Sequence, residues 1–154
     1  EKLSDEYIVP ICGIDLAKTV RKPEDLQNGP LIRILGQEAD WGRYFAAHEI
    51  AMPTGVSEYF VDTMTAAIEL AATGGGYAVV IKRLVDMANA ARPRVGVVGE
   101  AVPIPNAHYL MRPRSKRSKR PEVLLFENWL REEFSKDAVF GSLISSLDNI
   151  QTHR

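Results

Sequence analysis

The stretch from Tyr59 to Ile81 constrains the fold of this chain more than any other part of its sequence. Tyr59-Phe60-Val61 reads as the end of a strand, and Met64 to Thr73 as a helix. Glycines fill positions 74–76, and the apolar run Tyr77–Ile81 reads as a second strand. The helix carries Ala66, Ala67, Leu70 and Ala71 on one stripe. Side chains that small let a helix lie close against a sheet. The glycines follow the helix, where a left-handed C-cap favours a residue without Cβ. Phosphate-binding loops have the opposite order, strand then glycines then helix, so that helix N-terminal amides face the anion. The cluster is therefore a helix stop, not a nucleotide site.

The same alternation runs through the rest of the chain. Residues 7–12 (Tyr-Ile-Val-Pro-Ile-Cys) predict a strand with Pro10 near an edge or bend. Lys22–Leu26 predicts a single helical turn, and Leu31–Leu35 the next strand. Asp40 is expected to N-cap a helix from Trp41 to His48, with Trp41, Tyr44 and Phe45 on one face. Met52-Pro53-Thr54-Gly55 turns the chain into a strand over 56–61, and a helix over 82–91 carries Leu84, Val85 and Ala88. Val95–Val98 and Ala107–Met111 predict further strands, with Val102, Ile104 and two prolines in an irregular crossing loop between them. Pro121 opens the strongest helical pattern, in which Val123, Leu124, Phe126, Leu130 and Phe134 recur near the helical period beside Trp129. A weaker amphipathic segment covers 140–150. Short strands alternating with helices predict an α/β fold with a mostly parallel sheet.

Composition and spacing narrow the chemistry. With 154 residues, 45% hydrophobic and 25% charged, the chain has the make-up of one globular domain. A formal charge of −1 gives no global attraction to nucleic acid or to anionic membrane, and no apolar run is long enough to span a bilayer. Glu1 in place of Met marks a fragment, a processed form or a trimmed chain. His48, His108 and His153 lack metal-ligand spacing, and Cys12 has no second cysteine, so no metal site is expected. Ser57 lacks the elbow of a nucleophilic serine, and nothing near Cys12 would lower its pKa. No catalytic residue and no cofactor are assigned. The basic run Arg112–Arg120 lacks the aromatics that stack bases and reads as a solvated loop.

Several pieces in order carry a family resemblance: Tyr7–Cys12, Pro30-Leu31-Ile32 followed by Asp40-Trp41, Phe60-Val61-Asp62, and the helix running into Gly74-Gly75-Gly76. His108-Tyr109-Leu110-Met111 and Phe126-Glu127-Asn128-Trp129-Leu130 complete the series. Together they resemble the effector-binding domain of LysR-type transcriptional regulators, near the glycine-cleavage-activator subgroup, over about Leu3 to Phe134. The resemblance implies a type 2 periplasmic-binding-protein-like fold, two α/β subdomains joined by crossing strands with a small effector between them. Residues 1–134 would be a partial domain: about 7–111 the second subdomain and crossing strands, 121–134 the return to the first, and 135–154 a weakly helical tail. The winged helix-turn-helix lies outside this chain, so DNA would be contacted only through that missing part. The sequence departs from the family in ending its strand Ile81-Lys82, in its very basic loop 112–120 and in its long tail.

For a ligand, the useful places in such a sheet are strand ends and helix N-termini. Leu35-Gly36-Gln37 follows one strand, where Gly36 lets backbone approach a ligand and Gln37 can both donate and accept. Asp62-Thr63-Met64 opens a helix, whose free amides and Thr63 hydroxyl suit a carboxylate. Capping alone is an equal reading of Asp62 and Thr63. The resemblance implies that both loops line the effector cleft, giving Leu35, Gly36, Gln37, Thr63 and Met64 as the candidate site. The expected protein is a cytoplasmic, homo-oligomeric sensor of a small anionic molecule, without catalysis or membrane attachment. Two other classes share the pattern: a solute-binding module of a transport system, and an α/β enzyme domain.

Overall fold

The computed structural model describes residues 1–37, 39–111 and 120–135. It divides into two compact units, one of Glu6–Pro105, the other of Glu1–Asp5 with the chain from Asn106 onward. Two long strands run through both units, β1 (Lys2–Gly13) and β6 (Val102–Tyr109).

The larger unit contains β1, a helical turn α1 (Ile14–Ala17), a 3-10 segment (Pro23–Asn28), β2 (Leu31–Ile34), α2 (Ala39–Ala47) and β3 (Glu58–Val61). It continues with α3 (Met64–Ala72), β4 (Tyr77–Ile81), α4 (Lys82–Asn89) and β5 (Val95–Val97), and then enters β6. The strand order is β3-β2-β4-β1-β5, and β6 also pairs with β1. Strand β2 is parallel to both β3 and β4, whereas β1 is antiparallel to β4 and to β5. Strands β2 to β5 therefore all point one way, and β1 opposes them.

Period-two alternation explains why the sheet is covered on both faces. Val9 and Ile11 of β1, Ile32 and Ile34 of β2, and Ala78 and Val80 of β4 form one buried cluster with Ala67, Ile68 and Ala71 of α3 and Val85 of α4. The intervening Ile8, Cys12, Leu31, Tyr77 and Val79 turn to the opposite face, against Trp41, Tyr44 and Phe45 of α2 and Leu26 of the 3-10 segment. Trp41 stacks on Phe45 with ring centroids 5.3 Å apart and donates its indole N–H to the Ile32 carbonyl at 2.9 Å. The small residues of α3 do what their size predicts: Ala67 and Ala71 are fully buried against the sheet.

The glycine stop is built as expected from its order. Gly74 takes φ +85°, the Gly75 amide donates to Leu70 at 3.0 Å, and Gly76 takes φ +139° with its α-carbon directly over the Pro30 carbonyl. A Cβ at position 76 would overlap that oxygen, so glycine is required there for both conformation and space.

Three boundary expectations change. Pro10 is not at an edge: β1 has β4 on one side and β5 on the other, and Pro10 is buried. It is tolerated because its carbonyl accepts from Val98, one residue past the end of β5, where the ladder has already stopped. The crossing loop expected around Val102 and Ile104 is instead the first half of β6, whose prolines alternate outward while Val102 and Ile104 turn toward the α2-side cluster. Asp40 is not the N-cap of α2. The helix begins at Ala39, and Asp40 lies in its first turn, with its carboxylate 3.2 Å from Arg43.

In the smaller unit the start of β1 and the end of β6 lie together. The N-terminal ammonium donates to the Leu110 carbonyl at 3.2 Å, and Ser4 Oγ lies 3.1 Å from His108 Nδ1. Helix α5 (residues 121–135) is tied to them by Arg131, which forks across the Glu1 carboxylate at 2.7 and 2.9 Å. Part of its apolar surface is not covered: Val123, Leu124, Phe126 and Trp129 are exposed, whereas Leu130 and Phe134 are half-buried, Phe134 against the His108 ring, and Glu127 is buried. The basic loop over 112–119 and the tail beyond 135 lie outside the described residues.

Candidate functional site

Because β2 and β3 are parallel neighbours, the loops that follow them must leave the same end of the sheet. The register pairs Ile34 with Val61, and the Leu35 amide donates to the Val61 carbonyl at 2.9 Å. Leu35-Gly36-Gln37 and Asp62-Thr63-Met64 therefore emerge side by side, about 4.8 Å apart at their roots. All five candidate residues belong to the larger unit.

Their parts differ. Gly36 takes φ +80° with open space around it, so the conformation, not crowding, calls for glycine. This turn is closed by Gln37, whose amide donates to Ile34 at 3.0 Å, leaving its side chain exposed. Leu35 is 55% exposed, an apolar side chain standing at the rim. Thr63 is the N-cap of α3 in extended conformation, and its Oγ1 accepts from the Ala66 amide at 3.2 Å. The capping reading of Thr63 is thus realised. Its hydroxyl proton remains available to a ligand, since the cap uses the oxygen only as acceptor. Met64 turns its side chain into the α3-side core, so only its backbone amide faces the open end. The amides of Met64 and Thr65 precede the first bonded turn of the helix.

Electrostatics favour an anion here. Helices α2, α3 and α4 each follow a strand of the same direction, so their N-termini gather at this end of the sheet, where amide dipoles present partial positive charge.

The sequence reading missed one pair at the same end. The β1–β4 register matches Ile8 with Ile81, and its continuation places Glu6 opposite Arg83. Arg83 Nη2 donates to Glu6 Oε1 at 3.1 Å, and Glu6 is only 4% exposed. Glu6 lies in the polar first part of β1, just before the apolar run taken as the strand, so nothing local marked it as buried. Elsewhere, Arg33 pairs with Glu58 at 2.9 Å and lies 5.8 Å over the Phe60 ring, holding the β3 edge to β2.

Cys12 is fully buried, and burial pushes its thiol up to about 11, the opposite of what a nucleophile needs. His48 Nδ1 donates to the Tyr44 carbonyl of its own helix, 2.9 Å away. Among the described residues, no three His, Cys, Asp or Glu side chains are grouped to hold a metal ion.

A mixed sheet with helices on both faces, and two loops gathered at the strand ends beside a helix N-terminus, is the architecture of the periplasmic-binding-protein-like fold. The chain has the fold of LysR-type effector-binding domains. It superposes on the effector domain of the transcriptional regulator AmpR of Pseudomonas aeruginosa with a TM-score of 0.69, at 23% identity, covering 93% of this chain and 67% of that one. In sequence it is 32% identical over 135 residues to an uncharacterized HTH-type transcriptional regulator, y4mQ, of Sinorhizobium fredii. That match takes in 85% of this chain and 44% of the relative, so the chain spans less than half the length of the curated protein it matches. A substrate-binding domain of a putative amino acid ABC transporter from Streptococcus pneumoniae shares the fold at a TM-score of 0.58 and 10% identity, covering 94% of this chain and 62% of that one. No protein-family model matches.

Proposed function

We propose that this chain is the small-molecule-sensing part of a LysR-type transcriptional regulator, and that its effector is a small anion held by Leu35-Gly36-Gln37 and Thr63-Met64. The observation that carries the site is the parallel β2–β3 pair, which delivers both loops to one end of the sheet beside the α3 N-terminus. In this reading the Met64 and Thr65 amides and the Thr63 hydroxyl hold the anionic group, Gln37 orients the ligand and Leu35 shields one side. Residues 7–111 form the second subdomain with the crossing strands, 121–134 return to the first, and the chain belongs to the glycine-cleavage-activator subgroup. The exposed apolar face of α5 supports that division, since Val123, Phe126 and Trp129 need a covering surface.

The domain performs no catalysis. Effector binding shifts the balance between arrangements of a cytoplasmic homo-oligomer by its differential affinity for them, and DNA is read by a part of the regulator outside this chain. Among the described residues no helix is long and apolar enough to cross a membrane. The likeness to a transporter's substrate-binding domain favours a second reading, a solute-binding module, which would use the same loops. The full-length protein separates the two. In the regulator, Thr63→Val with Gln37→Ala weakens the effector response, by about 1 kcal/mol or more for the Thr63 hydroxyl, while leaving operator affinity without effector roughly intact. Unchanged effector response in that double variant refutes the site, and a protein with no operator affinity refutes the regulator.

A further inference from the structure

At the opposite end of the sheet a second group of polar side chains surrounds an open depression lined by Thr19, Val20, Arg21, Lys22, Asp25, Asn28 and Tyr77. Tyr77 opens β4 and pairs with Leu31 at the start of β2, whereas the candidate effector loops leave the other end of β2. The two places are separated by the length of that strand, roughly 10 Å.

The Arg21 and Lys22 side chains are exposed, and both act on Asp25 through their charge. The one acid is already occupied: Asp25 Oδ2 accepts the backbone amides of Arg21 at 2.8 Å and Lys22 at 3.1 Å. Those two amide bonds hold its carboxyl below the usual range. Tyr77 is 6% exposed, its ring wedged against Gly29, where a Cβ would collide with it. That close approach fixes the ring as a packed part of the lining, which the exposed Arg21 and Lys22 share. Two cations against one internally bonded carboxylate leave the lining net positive.

We propose that this depression is a second anion site, separate from the effector loops, that takes a phosphate group, free or as a monoester. Guanidinium, ammonium, phenol and amide donors lining one depression suit a tetrahedral dianion better than a planar carboxylate, which a single fork satisfies. The site does not depend on the effector reading, because none of its residues belongs to that end of the sheet.

The test is a titration of the 154-residue chain with inorganic phosphate and, separately, glycerol 3-phosphate, at constant ionic strength so that general screening is fixed. Binding is followed by amide chemical shifts. The expected result is saturable shifts centred on residues 19–28 and Tyr77, with affinity weakened about tenfold or more in Arg21→Gln/Lys22→Gln. Both cations are exposed, so that variant keeps the fold. Tyr77→Phe preserves the ring packing and weakens binding by a smaller factor. Tighter binding of one probe identifies the natural source as monoester or as free phosphate. Shifts that do not saturate, that centre on residues 35–37 and 63–65, or that survive unchanged in the double variant overturn the proposal.

Discussion

Replacing Thr63 by Asp separates the two roles that meet at the α3 N-terminus. The Thr63 hydroxyl caps the helix by accepting from Ala66 at 3.2 Å, and the same helix end is the proposed seat of an anion. Aspartate is at least as good an N-cap as threonine and adds a favourable charge to the helix dipole, so stability should hold or rise by up to about 1 kcal/mol. For an anionic ligand the effect is the reverse. A carboxylate about 4 Å from the bound charge costs between about 1 kcal/mol in water-like surroundings and about 4 kcal/mol at an effective dielectric near 20. Affinity should fall from about fivefold to about a thousandfold. Thr63→Val removes the cap and keeps the shape, so it should cost about 1 kcal/mol of stability and shift the melting point by several degrees. The assay is urea unfolding of each variant, paired with thermal stabilisation by any anionic metabolite that protects the parent chain. A ligand present at a hundred times its Kd should protect by about 2.7 kcal/mol. If Thr63→Asp is as stable as the parent and is protected equally by the same anion, the helix end is not the binding site. If it is strongly destabilised, the capping geometry itself is wrong.

Other outcomes follow from the same structure. Gly76→Ala forces a Cβ into the Pro30 carbonyl at φ +139° and should destabilise by at least about 2 kcal/mol in urea unfolding, with β4 disturbed at its first residue. The Cys12 thiol, raised from 9.0 to about 11 by burial, is neutral in the fold. Its contribution to stability is intact below about pH 9 and is lost as pH rises toward 11, and a thiol reagent at pH 8 should react only as fast as the chain unfolds. Glu6→Gln removes the buried charge opposite Arg83 and should cost about 1–3 kcal/mol, the lower end because the Arg83 side chain keeps some contact with solvent. The isolated chain should associate through α5, and Phe126→Glu with Trp129→Glu should return it to monomer in sedimentation experiments, because both side chains are exposed.

Much of the fold was legible because its signals are local. The helix-then-glycine order at 64–76 fixed α3, its stop and β4, and the small residues Ala67 and Ala71 foretold close packing on the sheet. Boundaries failed where polar or proline-rich sequence hid a strand. The first residues of β1 are exposed and carry Lys2 and Asp5, so no apolar run marks them. The prolines of β6 read as breakers, yet β6 pairs with β1, and the alternating burial of Val102 and Ile104 was the truer signal. Asp40 was misplaced because an acid just before an aromatic stripe looks like a cap, while the first turn of a helix welcomes an acid equally well.

The candidate site divides along the same line between local and non-local information. That Thr63 would cap α3 could be read from neighbouring residues alone. Whether Leu35–Gln37 and Thr63–Met64 leave one end of the sheet depends on β2 and β3 being parallel neighbours, which a connection through α2 implies but does not by itself pin to a register. Glu6–Arg83 is harder still. Its partners are 77 positions apart and meet only because β1 runs antiparallel to β4 with Ile8 opposite Ile81. Shifting that register by one residue would turn Glu6 away from Arg83 and Val9 out of its cluster. The apolar alternation of β1 therefore fixes the ion pair. It anchors β1 to the start of α4, at the sheet end where the candidate loops gather.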